Sequence, residues 1–434
     1  MKVVKIGICG LGVVGAGTFN LLSANRHTIN EHAGREIEVL CVGARRDNTA
    51  CDLSDVSVER DIFAVLETDV DIVVELIGGT TVAKDLVLKA IAKGKHVVTA
   101  NKALIAEYGN EVFAAARRQG VQVAFEAGVA GGIPIIKGLR EGLAANNIEW
   151  VAGIINGTGN FILSEMRDKG RDFADVLAEA QALGYAESDP TFDIEGIDAA
   201  HKLVILASIA FGMPLRFDAV YTEGIGSLER EDVVYAQELG YRIKHLGIAK
   251  RRQTGVELRV HPTLVPENRL IAQVDGVMNA VMVHGDAVGS TLYYGAGAGA
   301  GPTASAVVAD IIDLARNIDA QPDQFVPHLG FADNSLKDLA VLGIEEVETA
   351  CYLRVSVLDK PGVLSSIATI MSAQGISIEA IIQKEPQPGQ DHVPLIMLSN
   401  QNNERNLRDA IDSIEQLETV AGKVVHIRVE SLDG

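Results

Sequence analysis

Short apolar runs rich in β-branched residues alternate with longer stretches of helical period through the first third of the chain. Val3 to Cys9, Ile37 to Val42, Asp71 to Ile77, His96 to Thr99 and Val121 to Glu126 read as strands; Val13 to Ala24, Ala83 to Lys93 and Glu107 to Gln119 read as helices. Such alternation predicts a parallel sheet covered on both faces, with ligands bound beyond the carboxyl ends of its strands. From about Pro134 long helices, Phe173 to Leu183 and Ile197 to Phe211, mix with strands such as Arg242 to Ala249 and Val256 to Pro262, which predicts a second, α+β unit. The glycine-rich run Gly295 to Gly301 has apolar flanks and precedes an apolar helix, Ser305 to Ile318, placed to return to the first unit; a structured turn is expected there. Residues from about 319 to 348 lack sustained periodicity and read as a connection. The remainder runs strand (Cys351 to Leu358), helix (Gly362 to Gln374), strand (Ile378 to Lys384), strand (Val393 to Ser399), helix (Glu404 to Glu415), strand (Val424 to Val429), a ferredoxin-like βαββαβ order.

Size and charge narrow the picture. A chain of 434 residues exceeds what one core holds, since cores divide beyond ~250 to 300 residues. With 47% hydrophobic and 22% charged residues the composition is globular and obliges no large segment to be disordered. A net charge of -20 excludes general affinity for nucleic acid or anionic membrane, so an anionic ligand must be held by local groups. Cys9, Cys41, Cys51 and Cys351 are scattered without CxxC or disulfide-dense spacing, which fits a reducing compartment. The stretch Met1 to Gly10 carries no leader, and no segment has the length and apolarity of a membrane span, so a cytoplasmic protein is expected.

Gly10-Leu11-Gly12-Val13-Val14-Gly15 follows a strand and opens a helix, the setting in which GxGxxG marks dinucleotide binding. The first glycine makes the turn, the second admits the pyrophosphate, and the third packs helix on strand; the helix N-terminus offers amide donors to the phosphates. Where an NAD site usually ends its second strand with a carboxylate, this chain has Arg45 and Arg46. Two guanidiniums suit a 2′-phosphate and favour NADP, with NAD still open and a solvated arginine pair as the bland alternative. Asn101 and Lys102 follow a strand end on the ligand edge. The densest polar stretch, Tyr185 to Lys202, crowds Glu187, Asp189, Asp193 and Glu195 before a helix on which Asp198 and Lys202 stand four apart on one face. An exposed ion pair is the ordinary reading. The apolar continuation Leu203 to Ala207 favours a partly buried lysine instead, with its pKa lowered toward proton transfer and Asp198 orienting it. Glu126 to Pro134 offers a carboxylate and several carbonyls in a glycine turn, fit for a hard cation and equally for a plain domain crossing. No Ser/His/Asp or Cys/His constellation, zinc spacing or Walker A loop is legible.

With GLGVVG, VVTANK, EAGVAGGIP, NGTGNFIL and ESDPTFDIEGIDAAHKL in that order, the chain resembles the homoserine dehydrogenases over roughly residues 1 to 320. The resemblance implies reversible reduction of L-aspartate 4-semialdehyde to L-homoserine with NADPH, in the biosynthesis of threonine, methionine and isoleucine. It also implies roles: Lys202 as proton donor and acceptor with Asp198 beside it, and Lys102 touching cofactor and substrate. Glu187 would hold the substrate amino group, with Asp193 in the same acidic pocket, and Thr158 would lie on a loop facing the substrate. Gly78, Gly184 and Gly299 would line the cofactor cleft. A monovalent cation, sodium, would take the Glu126 side chain and the carbonyls of Val129, Gly131 and Ile133. The C-terminal part resembles an ACT domain in Leu358 to Leu364 and Gly375 to Ile378, which implies an amino-acid effector, threonine, and a homodimer or homotetramer. No aspartokinase segment is seen, as in monofunctional members. Expected boundaries are 1–134 with about 302–320 for the dinucleotide-binding domain, 135–301 for the substrate-binding and dimerisation domain, 321–348 for a linker and 349–434 for the regulatory domain. The enzymatic rivals are another amino-acid dehydrogenase and a semialdehyde dehydrogenase; the latter would need a cysteine thiolate, and none lies in the second-unit motifs. A nucleotide-binding sensor, in which the ACT module reads an amino acid and the first domain responds to redox state, would in contrast bind without catalysis.

Overall fold

The computed structural model describes residues 3–384 and 391–433; Met1 and Lys2, which open the N-terminal stretch read above, and Gly434, the end of the expected regulatory domain, lie outside them. Six strands form the first sheet: β1 (Val4–Cys9), β2 (Ile37–Gly43), β3 (Ser57–Glu59), β4 (Ile72–Glu75), β5 (His96–Thr99) and β6 (Val123–Ala124). All pair in parallel, in the order β3-β2-β1-β4-β5-β6. The chain reverses its direction of winding between β1 and β4, and there the crevice beyond the strand ends opens. Helices Val13–Ala24 and Ala300–Arg316 bury one face of the sheet with Ile6, Ile8, Val74, Val307 and Ile311. Helices Thr81–Ala92 and Lys102–Gln119 cover the other face, which continues through Leu104 and Val112 into Leu203 and Leu206 of the helix Ile197–Phe211. The second unit is thus packed directly against the first.

The second sheet takes β7 (Ile148–Ile154), β8 (Tyr221–Thr222), β9 (Tyr241–Arg251), β10 (Val256–Pro266), β11 (Met278–Gly285) and β12 (Gly289–Ala296). It runs on without a break into β13 (Glu348–Leu358), β14 (Ile378–Gln383), β15 (His392–Ser399), β16 (Asn402–Asn403) and β17 (Val420–Val429). The main path is β12-β11-β7-β9-β10-β17-β13-β15-β14, and the junction is a short parallel pairing of Thr263 with Arg428 and Leu264 with Val429. The C-terminal βαββαβ unit therefore extends the sheet of the unit before it. Its face toward that unit shares a core in which Tyr352, Ile396 and Ile427 join Phe161, Leu163 and Tyr235, while its helices Val363–Ala373 and Glu404–Glu415 cover the far side.

Several expected elements shift. The helix predicted from Glu107 begins at Lys102, because the Asn101 side chain accepts from the Leu104 amide (3.1 Å) and caps it earlier. The strand predicted over Val121 to Glu126 shrinks to Val123–Ala124, since Glu126 already opens a tight turn. The glycine run is structured throughout: Gly295 and Ala296 end β12, and Ala300 starts the helix Ala300–Arg316, five residues before the expected Ser305.

Candidate active site

At the strand ends, Gly10 adopts φ +103°, and a Cβ there would lie 2.7 Å from the Leu76 carbonyl. A side chain on Gly15 would collide with the Gly10 carbonyl. Gly12, Gly78 and Gly184, by contrast, look onto open space, as does Gly79. Backbone closes the turn from within and leaves its outer side clear, which is the shape a dinucleotide needs. The helix Val13–Ala24 has no side-chain cap, so its first amides stay available, with Leu11 buried behind the turn and Val13 and the half-buried Val14 at its mouth. The Asn48 amide fixes this loop by donating to the Leu11 carbonyl (2.9 Å). Arg45 and Arg46 follow β2 directly, exposed and unpaired among the described residues. Gly299, at φ +122°, precedes the helix Ala300–Arg316, whose Ala300 carbonyl lies where a Cβ on Gly17 would come within 2.7 Å.

Across the crevice the helix Ile197–Phe211 starts at Gly196 (φ +80°) and buries nearly every residue after Asp198. Lys202 Nζ donates to Asp198 Oδ2 (2.7 Å) and to the Ile155 carbonyl (2.6 Å), while Lys102 Nζ lies 3.0 Å from Asp198 Oδ1. The ordinary exposed ion pair is therefore not what forms: the Lys202 and Asp198 side chains are 12% and 7% exposed. Lys102, the first residue of its own helix, is the more open of the two lysines and lies over the Phe192 ring. Burial alone would raise the Asp198 carboxyl, but the two ammoniums outweigh it and hold the group well below the usual carboxylate range. Burial likewise lowers Lys202, with Asp198 opposing the fall and Lys102 adding to it. Asp193 is raised by burial, and Asp198 adds to that.

The sequence reading had not singled out Asn156. Its Nδ2 donates to both Asp193 Oδ1 and Asp198 Oδ2, each at 2.8 Å, while its Oδ1 accepts from Gly159 and caps the helix Gly157–Lys169. An amide with two donors is the side chain that holds two carboxylates side by side. The available signal was an Asn before Gly-Thr-Gly, the N-cap position of a helix. Thr158 donates to the Tyr185 carbonyl (2.7 Å), joining this helix to the acidic loop. Glu187 is exposed, and no hydrogen bond or ion pair joins its side chain to the Asp193–Asp198 cluster among the described residues. Glu75, also missed, ends β4 fully buried, and burial pushes its carboxyl up.

Glu126 is buried, and each of its oxygens accepts one backbone amide, from Ile136 and from Lys137 (both 2.9 Å). Burial, with the Asp310 carboxylate adding, pushes it up to about 7. The turn after it is tight, with Ala130 at φ +54° and Gly131 at φ +49°, and it carries the Val129, Gly131 and Ile133 carbonyls. The Ile133 carbonyl accepts from Ile135, and Gly132 bonds the Ala296 carbonyl, so this turn is pinned to the glycine run. Among the described residues no three His, Cys, Asp or Glu side chains gather to hold a metal, and no helix is long and apolar enough to cross a membrane. Cys9, Cys41 and Cys351 are buried, and all four cysteines are free.

Family models for the homoserine dehydrogenase NAD binding domain, homoserine dehydrogenase and the ACT domain match residues 10–126, 134–312 and 352–419 in turn. A homoserine dehydrogenase of Pseudomonas aeruginosa is 63% identical over 434 residues, all of both chains. The solved homoserine dehydrogenase of Thiobacillus denitrificans superposes with a TM-score of 0.95 at 59% identity, covering 99% of each chain. A hyperthermophilic archaeal homoserine dehydrogenase mutant in complex with NADPH aligns at a TM-score of 0.60 and 27% identity over 72% of this chain and 97% of its own. Similarity of this depth along the whole chain, over a parallel-sheet crevice that faces a buried lysine and carboxylate, makes this protein a member of the homoserine dehydrogenases, NAD(P)-dependent oxidoreductases, with an ACT domain following the catalytic unit.

Proposed function

We propose that this enzyme interconverts L-aspartate 4-semialdehyde and L-homoserine with NADP(H) as the preferred nicotinamide, and that Lys202 handles the proton at the substrate oxygen. The observation that carries the reading is the buried Asp198 carboxylate held between Lys202 and Lys102 at the mouth of the crevice. Gly10 to Gly15, with Gly78, Gly184 and Gly299, would hold the cofactor, Arg45 and Arg46 would hold its 2′-phosphate, and the bound cofactor would supply the hydride. Two ammoniums facing one oxygen stabilise the negative charge that grows there, in a site where water is largely displaced. Lys202, lowered by burial, gives up its proton to an alkoxide and takes one back from an alcohol more readily than a solvated lysine. Asp198 and the Ile155 carbonyl keep its Nζ in place, Asn156 fixes Asp198 against Asp193, and Asp193 with Glu187 receives the amino group. Thr158 orders the loop that faces the substrate. The match to a relative solved with NADPH supports the phosphate-bearing cofactor, as does the unpaired arginine pair.

Three further parts complete the reading. A monovalent cation, sodium, at Glu126 and the Val129, Gly131 and Ile133 carbonyls would supply the charge that this buried carboxyl lacks. The ACT domain binds an amino acid, threonine, and feeds back on the catalytic unit; the chain works in the cytoplasm as a homodimer or homotetramer. The dinucleotide-binding domain takes 1–134 with the return of about 302–320, the substrate-binding and dimerisation domain 135–301, a linker 321–348 and the regulatory domain 349–434. The test is steady-state homoserine oxidation with NADP. K202A should lower kcat by about 100- to 10,000-fold, the span expected of a lost proton-transfer group, with the KM for NADP little changed. A folded K202A enzyme at wild-type kcat would remove the proposal's foundation.

A further inference from the structure

A single buried carboxylate joins the two loops that follow β4 and β5 at the edge of the crevice. Glu75 is the last residue of β4 and pairs in register with Thr99, the last residue of β5. Its Oε1 accepts the amides of Ile77 (2.9 Å) and Gly78 (3.1 Å), and its Oε2 accepts the Thr99 hydroxyl (2.6 Å). Thr99 Oγ1 in turn accepts the Asn101 amide (3.0 Å). Asn101 then works in both directions: its Nδ2 donates to the Gly79 carbonyl (2.6 Å), and its Oδ1 caps the helix that begins at Lys102. Gly78 and Gly79 both take positive φ (+72° and +71°), so the loop needs an external grip to hold its shape. Leu76 within it bonds the Cys9 carbonyl and backs onto Gly10.

A fully desolvated carboxylate is costly and is retained where its bonds are needed. The neighbours of Glu75 at the same level are Cys9 on β1 and Thr99 on β5, and the backbone pairing of the sheet does not require an acid there. We propose that Glu75 is a positioning residue: through Thr99 and Asn101 it sets the location of the Lys102 ammonium relative to the Gly78 loop. It touches neither substrate nor cofactor. The inference rests on the reading of Lys102 given above and deepens it.

T99V, which removes the hydroxyl and keeps the volume, should cut kcat by about 10- to 100-fold, the loss expected from a misplaced charged group. The KM for NADP should stay within about threefold, because the Glu75 grip on Gly78 survives. T99S, which keeps the hydroxyl, should recover most of the loss. E75Q is isosteric and meets Thr99 with an amide; it should lower kcat in the same direction and serves in place of T99V if that variant does not fold. A merely structural role predicts a lower melting temperature with kcat unchanged. A folded T99V or E75Q enzyme with native kcat, or T99S as impaired as T99V, overturns the proposal. K102A is assayed alongside: native kcat there would sink the reading of Lys102, whereas a collapse in K102A with an unaffected T99V would sink this inference alone.

Discussion

The smallest functional object is one carboxylate with an ammonium on either side. Asp198 is counter-charge to both Lys102 and Lys202, so its removal changes how readily Lys202 releases its proton. An anion beside a lysine favours the charged form, and the remaining Lys102 disfavours it. In D198N, therefore, the Lys202 pKa falls further below its ordinary value. In homoserine oxidation, where Lys202 as the proposed proton acceptor starts neutral, the acid limb of kcat/KM against pH should move to lower pH, while kcat itself falls by about 100-fold as the ammonium loses its tether. An acid limb moving upward would mean that another group titrates. Lys202 and Asp198 were legible because i,i+4 spacing and an apolar continuation are local signals. Asn156 and Glu75 were not, because their partners lie 42 and 24 residues away in the chain. No period in the sequence records that neighbourhood.

At the level of elements, the glycine run is the joint between the two units. Its Ala296 carbonyl accepts from Gly132, and its Ala300 carbonyl faces Gly17 on the cofactor helix. Gly17 lies outside the GxGxxG string, yet a methyl group there would press on backbone 2.7 Å away that has no rotamer with which to yield. G17A should cost about 1 to 3 kcal/mol in urea unfolding, as overpacking does, in spite of alanine's better helix propensity. A neutral or stabilising result would show that the two helices separate freely. Alternation made β1, β2, β4 and β5 of the first sheet readable to within two residues at either end, while β6 came out shorter than expected and the three-residue β3 was too short to leave a pattern. β7, β11 and β12 escaped because they belong to an antiparallel sheet whose faces are covered unevenly, so neither strict alternation nor a continuous apolar run marks them. The helix Ala300–Arg316 was placed late because glycine and alanine at its first turn look like linker until the neighbouring elements are known.

The whole molecule is tied together by charge as well as by its continuous sheet. Arg428, buried in β17, donates to both oxygens of Glu404 in its own unit and to Glu223 (2.8 Å) in the preceding one. Arg259 of β10 is paired with Glu257 and, from the C-terminal end, Glu430, while Leu432 packs into the cluster around Trp150. Removing Glu404 takes two of the carboxylate bonds from the buried Arg428 guanidinium and leaves it Glu223. E404A should therefore cost about 3 to 5 kcal/mol. The shared core and sheet further predict one calorimetric transition for the wild-type chain; two resolved transitions would show the C-terminal unit to be an independent body. In the sequence the C-terminal unit reads as a separate domain joined by a connection, because the βαββαβ order is self-contained on paper. The pairing of β10 with β17 depends on two residues in each strand, too few to leave a mark.

Arg354, on β13, meets Asp232 and Glu229 at the start of the helix Arg230–Glu238, and Tyr352 beside it donates to Asp232. Part of what seats the ACT domain is thus written in the catalytic unit. A homologous ACT domain grafted onto this catalytic body would arrive without its socket, and an exchange between relatives should succeed as a block only if that short helix travels with it.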